Sequence, residues 1–419
     1  MDLRTQGTLE RLLRQSQGRR PLAIVMGGSV NGLSFVRSLG RRGIPTLLLD
    51  SEYLVGTYSR LGTTIILPSP SKDPSQWMEV LEFLGSRLAV PGVIFSTSDA
   101  HGVFVSHHAS VLGRYFRFLV PSAETTAQIV DKKTQYTIAK SVGIPIPQTY
   151  FPKDLDEVRE ISTGFIYPCI VKPYKAHEGR GKIGNKKVVV VEAAESLVSV
   201  FESIGGAEPA FMVQEIIPGA DNTLYGYLAF WDSNHQELAW LTKRKLRQYP
   251  PHYGDGSLQE TIECPEVAQL GRRLLQAFNY QGFVGIEFKF DARDGTYRLM
   301  EINPRTVSGN QLCISAGVDF PGIGYQYLTG CNLGIDPARP FERGVRYVNE
   351  EWDFKAYLAL RRSGELSLRS WRHSIRGVKA NALWASDDPM PLLVTVYRAL
   401  RAFLRGILAI TGRDSKRGW

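Results

Sequence analysis

FVGIEFKFDARDGTYRLMEINPRTVS, Phe283–Ser308, is two alternating runs on either side of Asp294-Gly295. In the first run Phe283, Gly285, Glu287 and Lys289 share one face, and Val284, Ile286, Phe288 and Phe290 the other. In the second, Arg298, Met300 and Ile302 oppose Leu299, Glu301 and Asn303. Alternation around a Gly-containing turn predicts a β-hairpin. An odd-numbered loop centred on Asp294 sets Glu287 opposite Glu301. Opposed residues, and residues two apart in a strand, share a face. Glu287, Glu301 and Asn303 are therefore expected to converge.

Opposed carboxylates repel across a ladder. An amide oxygen beside them completes an all-oxygen set suited to a hard cation such as Mg²⁺, which takes one or two carboxylates and fills its shell with water and phosphate oxygens. The hairpin reads as an Mg²⁺–nucleotide site, or else as an ordinary exposed hairpin with a polar face.

The chain has 419 residues, enough for two or three domains. At 43% hydrophobic and 22% charged it is globular rather than disordered. A net charge of +9 admits nucleotides, anionic lipid and nucleic acid as partners, or a merely solvated basic surface. Cys169, Cys264, Cys313 and Cys331 show no metal-ligand spacing and read as reduced thiols of a cytoplasmic protein. Residues 1–20 carry five arginines and no signal-peptide core, so export is not expected. No uncharged apolar run reaches the roughly 20 residues of a membrane span.

From the N-terminus, a strand at Leu22–Met26, a glycine turn, a helix over Asn31–Arg41 and a strand at Thr46–Leu49 ending in Asp50 form a βαβ opening. Gly27, Ser29 and Gly32 approximate a dinucleotide fingerprint, but many α/β domains open this way without one. Ser98 and Asp99 follow a buried strand, Gly92–Thr97, as acceptor-substrate contacts or as a helix N-cap. His101, His107 and His108 read as surface residues.

Asp131-Lys132-Lys133 opens a helix that Gly143-Ile144-Pro145 stops. YPCIVKP, Tyr167–Pro173, is an apolar strand carrying Lys172, a cation that needs an anion to offset its desolvation. HEGRGKIGNKK, His177–Lys187, follows as a glycine-rich basic flap suited to phosphate, or as a plain hairpin tip. FMVQEII, Phe211–Ile217, enters a turn with Asp221, suited to an adenine edge and ribose hydroxyls. Thr242–Glu260 reads as a long basic loop, and Val267–Phe278 as an amphipathic helix.

In this order, a helix with Lys132 or Lys133, a strand with Lys172, a glycine flap, a QEII hinge and a Glu…Glu-x-Asn hairpin resemble the ATP-grasp superfamily over residues 20–335. KLRQYPP, GFVGIEFKFD and EINPR resemble its carboxylate–amine ligase group, which includes D-aspartate ligase. The resemblance implies an α/β fold of the α+β ATP-grasp type. A basic segment (1–20) and a Rossmann-like parallel-sheet domain (21–125) precede a two-lobed ATP-grasp domain (126–335), whose small lobe spans 148–212 and large lobe 213–335. A C-terminal extension (336–419) carries a basic amphipathic helix at 391–411.

It implies ATP with Mg²⁺, or Mn²⁺ in its place. Lys132 (or Lys133), Lys172 and the flap residues Gly179, Arg180, Gly181 and Lys182 match phosphate contacts. Gln214, Glu215 and Ile217 match the adenine hinge, Asp221 the ribose contact, and Glu287, Glu301 and Asn303 the metal ligands. Arg305, Lys245 and Arg247 match basic residues at the transferred phosphate. The flap lacks a serine common in the family, and Thr306-Val307-Ser308 replaces bulky aromatics after EINPR, so the acceptor is expected to differ from D-aspartate.

The implied activity joins a small carboxylate to a small amine through an acyl phosphate. The alternatives are another ATP-grasp acceptor (peptide tailoring, a thiol, a phosphate) or a non-catalytic ATP-binding module at a membrane. From Pro391, Leu392, Leu393, Val396, Leu400, Phe403, Leu404, Ile407 and Leu408 form an apolar face beside Arg398, Arg401 and Arg405. That pattern suits either an anionic membrane interface at the inner face or docking onto protein. The membrane reading carries an envelope or lipid-linked precursor as substrate. Nucleic acid is not expected as a partner, and a homodimer is left open.

Overall fold

The computed structural model describes residues 2–16, 20–174, 183, 188–205 and 211–414, with 406–414 as helix backbone. The chain divides into two compact units, Met1–Leu119 with Thr306–Trp419, and Val120–Arg305.

The first unit opens with helix α1 (Leu3–Ser16), which buries Leu9 and Leu12. Strands β1 (Ala23–Met26), β2 (Thr46–Asp50), β3 (Thr63–Ile66), β4 (Gly92–Ser96) and β5 (Phe116–Arg117) make a parallel sheet in the order β3-β2-β1-β4-β5. Every residue of β1 and β2 is buried, as expected for strands of a parallel sheet covered on both faces. Helix α2 (Val30–Arg41) follows the glycine turn and is capped by Ser29, whose hydroxyl accepts from Asn31 N.

The fingerprint-like residues are used within that turn. Gly27 has φ of +106°, and a Cβ at Gly32 would lie 1.7 Å from Gly27 O, so α2 can approach the strand only with glycine there. The Asp50 carboxylate accepts from the amides of Gly28, Ser51 and Glu52.

Helices α3 (Pro74–Gly85) and α4 (Asp99–His107) come next, and the Ser98 hydroxyl caps α4 by accepting from His101 N at 3.3 Å. His101 is not a surface residue: it is 6% exposed, its ring lies 5.1 Å from that of Trp77, and Nδ1 is 2.6 Å from Ser98 Oγ. Burial pushes its pKa down. An isolated histidine in a polar stretch gives no sign of burial, because the apolar partner, Trp77, comes from another helix.

The second unit holds two sheets. One has the order β6-β9-β7-β8, from β6 (Thr149–Tyr150), β7 (Cys169–Pro173), β8 (Val189–Val191) and β9 (Phe211–Glu215), with antiparallel pairing. Gly179, Arg180, Gly181 and Lys182 lie outside the described residues. Helix α5 (Lys132–Ser141) is capped by Asp131. The other sheet is built from β10 (Leu224–Trp231), β11 (Glu237–Tyr249), β12 (Asp255–Thr261), β13 (Gly282–Asp291) and β14 (Thr296–Asn303), which pair antiparallel in the order β14-β13-β10-β11-β12. Helix α6 (Pro265–Ala277) packs Val267, Leu274 and Leu275 with Tyr227, Val284 and Ile286 of this sheet.

The expected loop Thr242–Glu260 is instead most of the β11–β12 hairpin. Its prolines and Gly254 occupy the turn, Gly256 lies in β12 opposite Gln248, and Lys243, Arg244 and Lys245 stand on β11, where they meet Gln259, Glu260 and Glu287 of other strands.

After Arg305 the chain returns to the first unit with helices α7 (Asn310–Ser315) and α8 (Phe320–Thr329). Then come strand β15 (Arg346–Val348), helix α9 (Glu350–Arg362), strand β16 (Ala380–Asn381) and helix α10 (Met390–Asp414). Val30 and Leu33 of α2 share a core with Leu312, Tyr347, Ala382 and Leu383. Beside it the buried Arg37 guanidinium donates to Asp388 Oδ2 at 3.0 Å, Leu383 O at 2.7 Å and Asp388 O at 2.8 Å.

Candidate functional site

The β13–β14 ladder sets Glu287 opposite Glu301, with Gly285 opposite Asn303. It reaches this register by another route than an odd-numbered loop. Asp291 pairs with Thr296 across a four-residue turn, and Phe288 pairs with Leu299 while Glu287 pairs with Glu301. Met300 is therefore an extra residue, a β-bulge. The bulge also changes the faces. Leu299 and Ile302, three apart, both enter the core, so Leu299 does not share a face with Glu301 and Asn303 as strict alternation predicts. Tyr136 Oη of α5 donates to Met300 O at 3.0 Å and holds the bulge.

The rung continues across the sheet as Glu301, Glu287, Gly226 and Lys243. Gly226 carries no side chain between the Glu287 and Lys243 positions; a Cβ there would be 3.0 Å from Lys243 Cε. Lys243, 4% exposed, donates to Gln259 Oε1. Neither residue was singled out from sequence, although a glycine within an apolar strand is a sign of close approach.

Each carboxylate of the opposed pair has a lysine. Lys245 Nζ is 2.9 Å from Glu287 Oε2, and Lys132 Nζ is 3.9 Å from Glu301 Oε1. Burial works against the charge on Lys245, but Glu287 outweighs it and the pKa is raised. Lys133 instead lies over the Phe151 ring. Lys172, on β7, has its pKa pushed down to about 8 by desolvation, which the charge of Glu301 only partly offsets. Among the described residues no carboxylate lies within ion-pair distance of it. A partly buried cation with no carboxylate partner gains most from an added anion.

Gln214 is fully buried: Nε2 donates to Thr149 Oγ1 at 2.9 Å and Tyr136 Oη at 3.2 Å, and Oε1 has no partner among the described residues. The Glu215 carboxylate is taken by Gln148 N at 2.8 Å and Arg293 at 2.9 Å, and Ile217 is buried. Asp221 accepts from Gln248 N at 3.0 Å and Gln248 Nε2 at 2.9 Å. Gln248 Oε1 in turn accepts from Lys245 Nζ at 3.2 Å, so one chain of polar contacts joins Asp221 to Glu287. Arg247, 5% exposed, follows a bulge in β11. Arg305 Nη2 donates to Asn303 Oδ1 at 3.3 Å.

The structure thus brings Lys132, Lys172, Lys245, Glu287 and Glu301 together, with Asn303 and Arg305 beside them. Asp221 and Glu215 are engaged by protein groups. Two opposed carboxylates and an amide oxygen, all oxygen donors, fit a hard divalent cation. The ammonium groups of Lys132 and Lys245 already offset the repulsion between the carboxylates.

Residues 209–351 match the protein family described as ATP-grasp in the biosynthetic pathway with Ter operon. The chain carries an ATP-grasp domain. The chain is 24% identical over 300 residues to the D-aspartate ligase of Enterococcus faecium, covering 68% of this chain and 71% of that protein. It is 31% identical over 195 residues to a formate-dependent phosphoribosylglycinamide formyltransferase of Wolinella succinogenes, covering 45% of this chain and 47% of that protein, less than half of its length. In fold it is similar to the biotin carboxylase–β,γ-ATP complex of Campylobacter jejuni, with a TM-score of 0.59 at 16% identity over 77% of this chain and 74% of that one. The ATP-grasp match includes β13, β14 and the opposed carboxylates.

Proposed function

We propose that this ATP-grasp chain is an ATP-dependent ligase that joins a carboxylate to an amine. The observation that carries the reading is the Glu287–Glu301 pair with a lysine on each carboxylate and the partly buried Lys172 within reach of the Glu301 charge. The likeness to a D-aspartate ligase supports the carboxylate and amine classes.

Lys132 and Lys172 would neutralise nucleotide phosphates. Glu287, Glu301 and Asn303 would hold Mg²⁺, or Mn²⁺ in its place, which supplies charge neutralisation at the phosphate oxygens. Lys245 pairs with Glu287 and would share that carboxylate with the bound ion. A substrate carboxylate oxygen attacks the γ-phosphorus, the bond to the β–γ bridging oxygen breaks and ADP leaves. The amine then attacks the acyl carbon, loses a proton and expels phosphate. Arg305, Lys245 and Arg247 would offset charge on the transferred phosphoryl group. Positioning and electrostatics carry most of such a reaction.

The test is ADP release by the purified protein across carboxylate and amine pairs, with hydroxylamine as a trap. Release that depends on a carboxylate, with a hydroxamate formed in the trap, is expected. ADP formation at the same rate without any carboxylate, or turnover with no hydroxamate, would overturn the reading.

A further inference from the structure

Helix α10 belongs to the first unit and is seated on it at its start. Pro391 is buried, and Arg398 Nη2 donates to Tyr53 O at 2.9 Å and Tyr58 Oη at 2.7 Å. Along and beyond this seat, Leu393, Val396, Tyr397, Leu400, Phe403 and Leu404 are 46–66% exposed. Their spacing of three and four places them on one arc of the helix. Large apolar side chains this exposed and this contiguous mark an interaction surface.

Charge decides between occupants. Arg398, Arg401 and Arg405 recur along one flank of the arc, and no Asp or Glu occurs between Met390 and Arg413. Two copies pairing through this face would bring their arginine flanks into like-charge contact. A bilayer with anionic headgroups offers the complement to both features. The apolar arc enters the acyl boundary while the stems of Arg401 and Arg405 lie along it and their guanidinium groups reach phosphate; Arg398 is held by Tyr53 and Tyr58. Tyr397 stands at the edge of the arc, where an amphipathic ring suits the headgroup level. No helix among the described residues is long and apolar enough to cross a membrane, so the contact is one of lying on the surface.

We propose that α10 is an interfacial helix that lays its Leu393–Leu404 face on an anionic phospholipid bilayer. The proposal is independent of the reaction assigned to the ATP-grasp domain, because none of its residues belongs to that site.

The test is co-sedimentation of the full chain with phosphatidylcholine vesicles, with and without about 30 mol% phosphatidylglycerol, at about 50 mM and about 500 mM salt. Binding to the anionic vesicles at low salt, weakened at high salt, is expected. R401Q/R405Q removes two charges worth about 1 kcal/mol each at such a surface, so its partitioning should fall roughly 30-fold. L400E/F403E should abolish binding to both vesicle types. These side chains are exposed, and unchanged thermal unfolding of each variant checks the fold. No sedimentation of the wild-type chain with anionic vesicles at low salt, or equal sedimentation of L400E/F403E, would overturn the proposal. So would light scattering showing a two-copy mass that L400E/F403E returns to one, which would make the face a self-association surface.

Discussion

Lys172 sits at a position where its protonation and an anion's binding are linked. Its pKa of about 8 means that the ligand-free ammonium is lost as pH rises through that value. Nucleotide affinity is therefore expected to hold below pH 8 and to weaken by up to about tenfold per pH unit above it. Stability of the ligand-free fold has the opposite sign. The folded pKa lies below the ordinary 10.5, so the charged form is disfavoured in the fold, and stability should rise between pH 8 and 10.5. Calorimetric nucleotide titrations across pH, beside Lys172→Met, check this: the variant should bind weakly with no such pH dependence. Glu301, half exposed, can be changed without unfolding the hairpin. Glu301→Gln should keep the wild-type circular dichroism and lose ADP release on the order of a hundredfold or more, as expected when a charge-stabilising group is removed. Near-normal turnover in that variant would remove Glu301 from the metal set.

At the scale of the element, the β13–β14 hairpin depends on a single bulge. Without Met300 as an extra residue, strict alternation would put Glu301 on the face that Leu299 presents to the core. With it, Leu299 and Ile302 are buried and Glu301 is turned outward beside Lys132. Tyr136 Oη bonds Met300 O and receives Gln214 Nε2, so one hydroxyl ties helix α5, strand β9 and the bulge. Tyr136→Phe removes that hydroxyl and leaves the part-buried Met300 carbonyl and the buried Gln214 amide each short of a partner. A loss of about 1–3 kcal/mol in unfolding free energy is expected, readable from denaturant melts. Turnover and nucleotide affinity should both fall, because the hydroxyl holds both the bulge and Gln214, which matches the adenine hinge. A variant with wild-type stability and turnover would show that the bulge holds without Tyr136.

At the scale of the whole molecule, the segment after Arg305 is integral to the first unit. Arg37 and Asp388, 351 residues apart, form a buried ion pair, and the Asp388 carboxylate also accepts from Ser59 Oγ at 2.8 Å and Arg60 N at 3.1 Å. Burial pushes the Arg37 pKa down, and Asp388 counters that shift. Asp388→Ala would leave a buried guanidinium with carbonyl partners alone. We expect it to cost about 3–5 kcal/mol of stability, measured by chemical unfolding, with Asp388→Asn milder because it keeps the shape and the acceptor oxygen. An unfolding midpoint unchanged by Asp388→Ala would show that the pair contributes nothing net.

Local pattern carried much of this protein. Three of the five parallel strands of the first sheet, the strand bearing Lys172, the helix after Asp131 and the presence of the hairpin follow from alternation, apolar runs and turn residues within short windows, whereas the short β3 and β5 carry no such signal. Those signals are local because backbone hydrogen bonding repeats over two or four residues. Thr242–Glu260 misled because charged residues on a strand look like loop when their partners are unseen. Lys245 meets Glu287, 42 residues away, and Lys243 meets Gln259 of the neighbouring strand. His101 looked exposed because Trp77 arrives from another helix, and the bulge at Met300 was hidden because one extra residue leaves no mark in composition. Tertiary structure alone decided that residues 306–419 pack with 1–119, since burial of Arg37 against Asp388 depends on groups brought together only when the core of α2, β15 and β16 has formed. Sequence thus determined which residues alternate and where chains turn; folding decided which charges meet, because an ion pair is fixed by distance in space and not by separation along the chain.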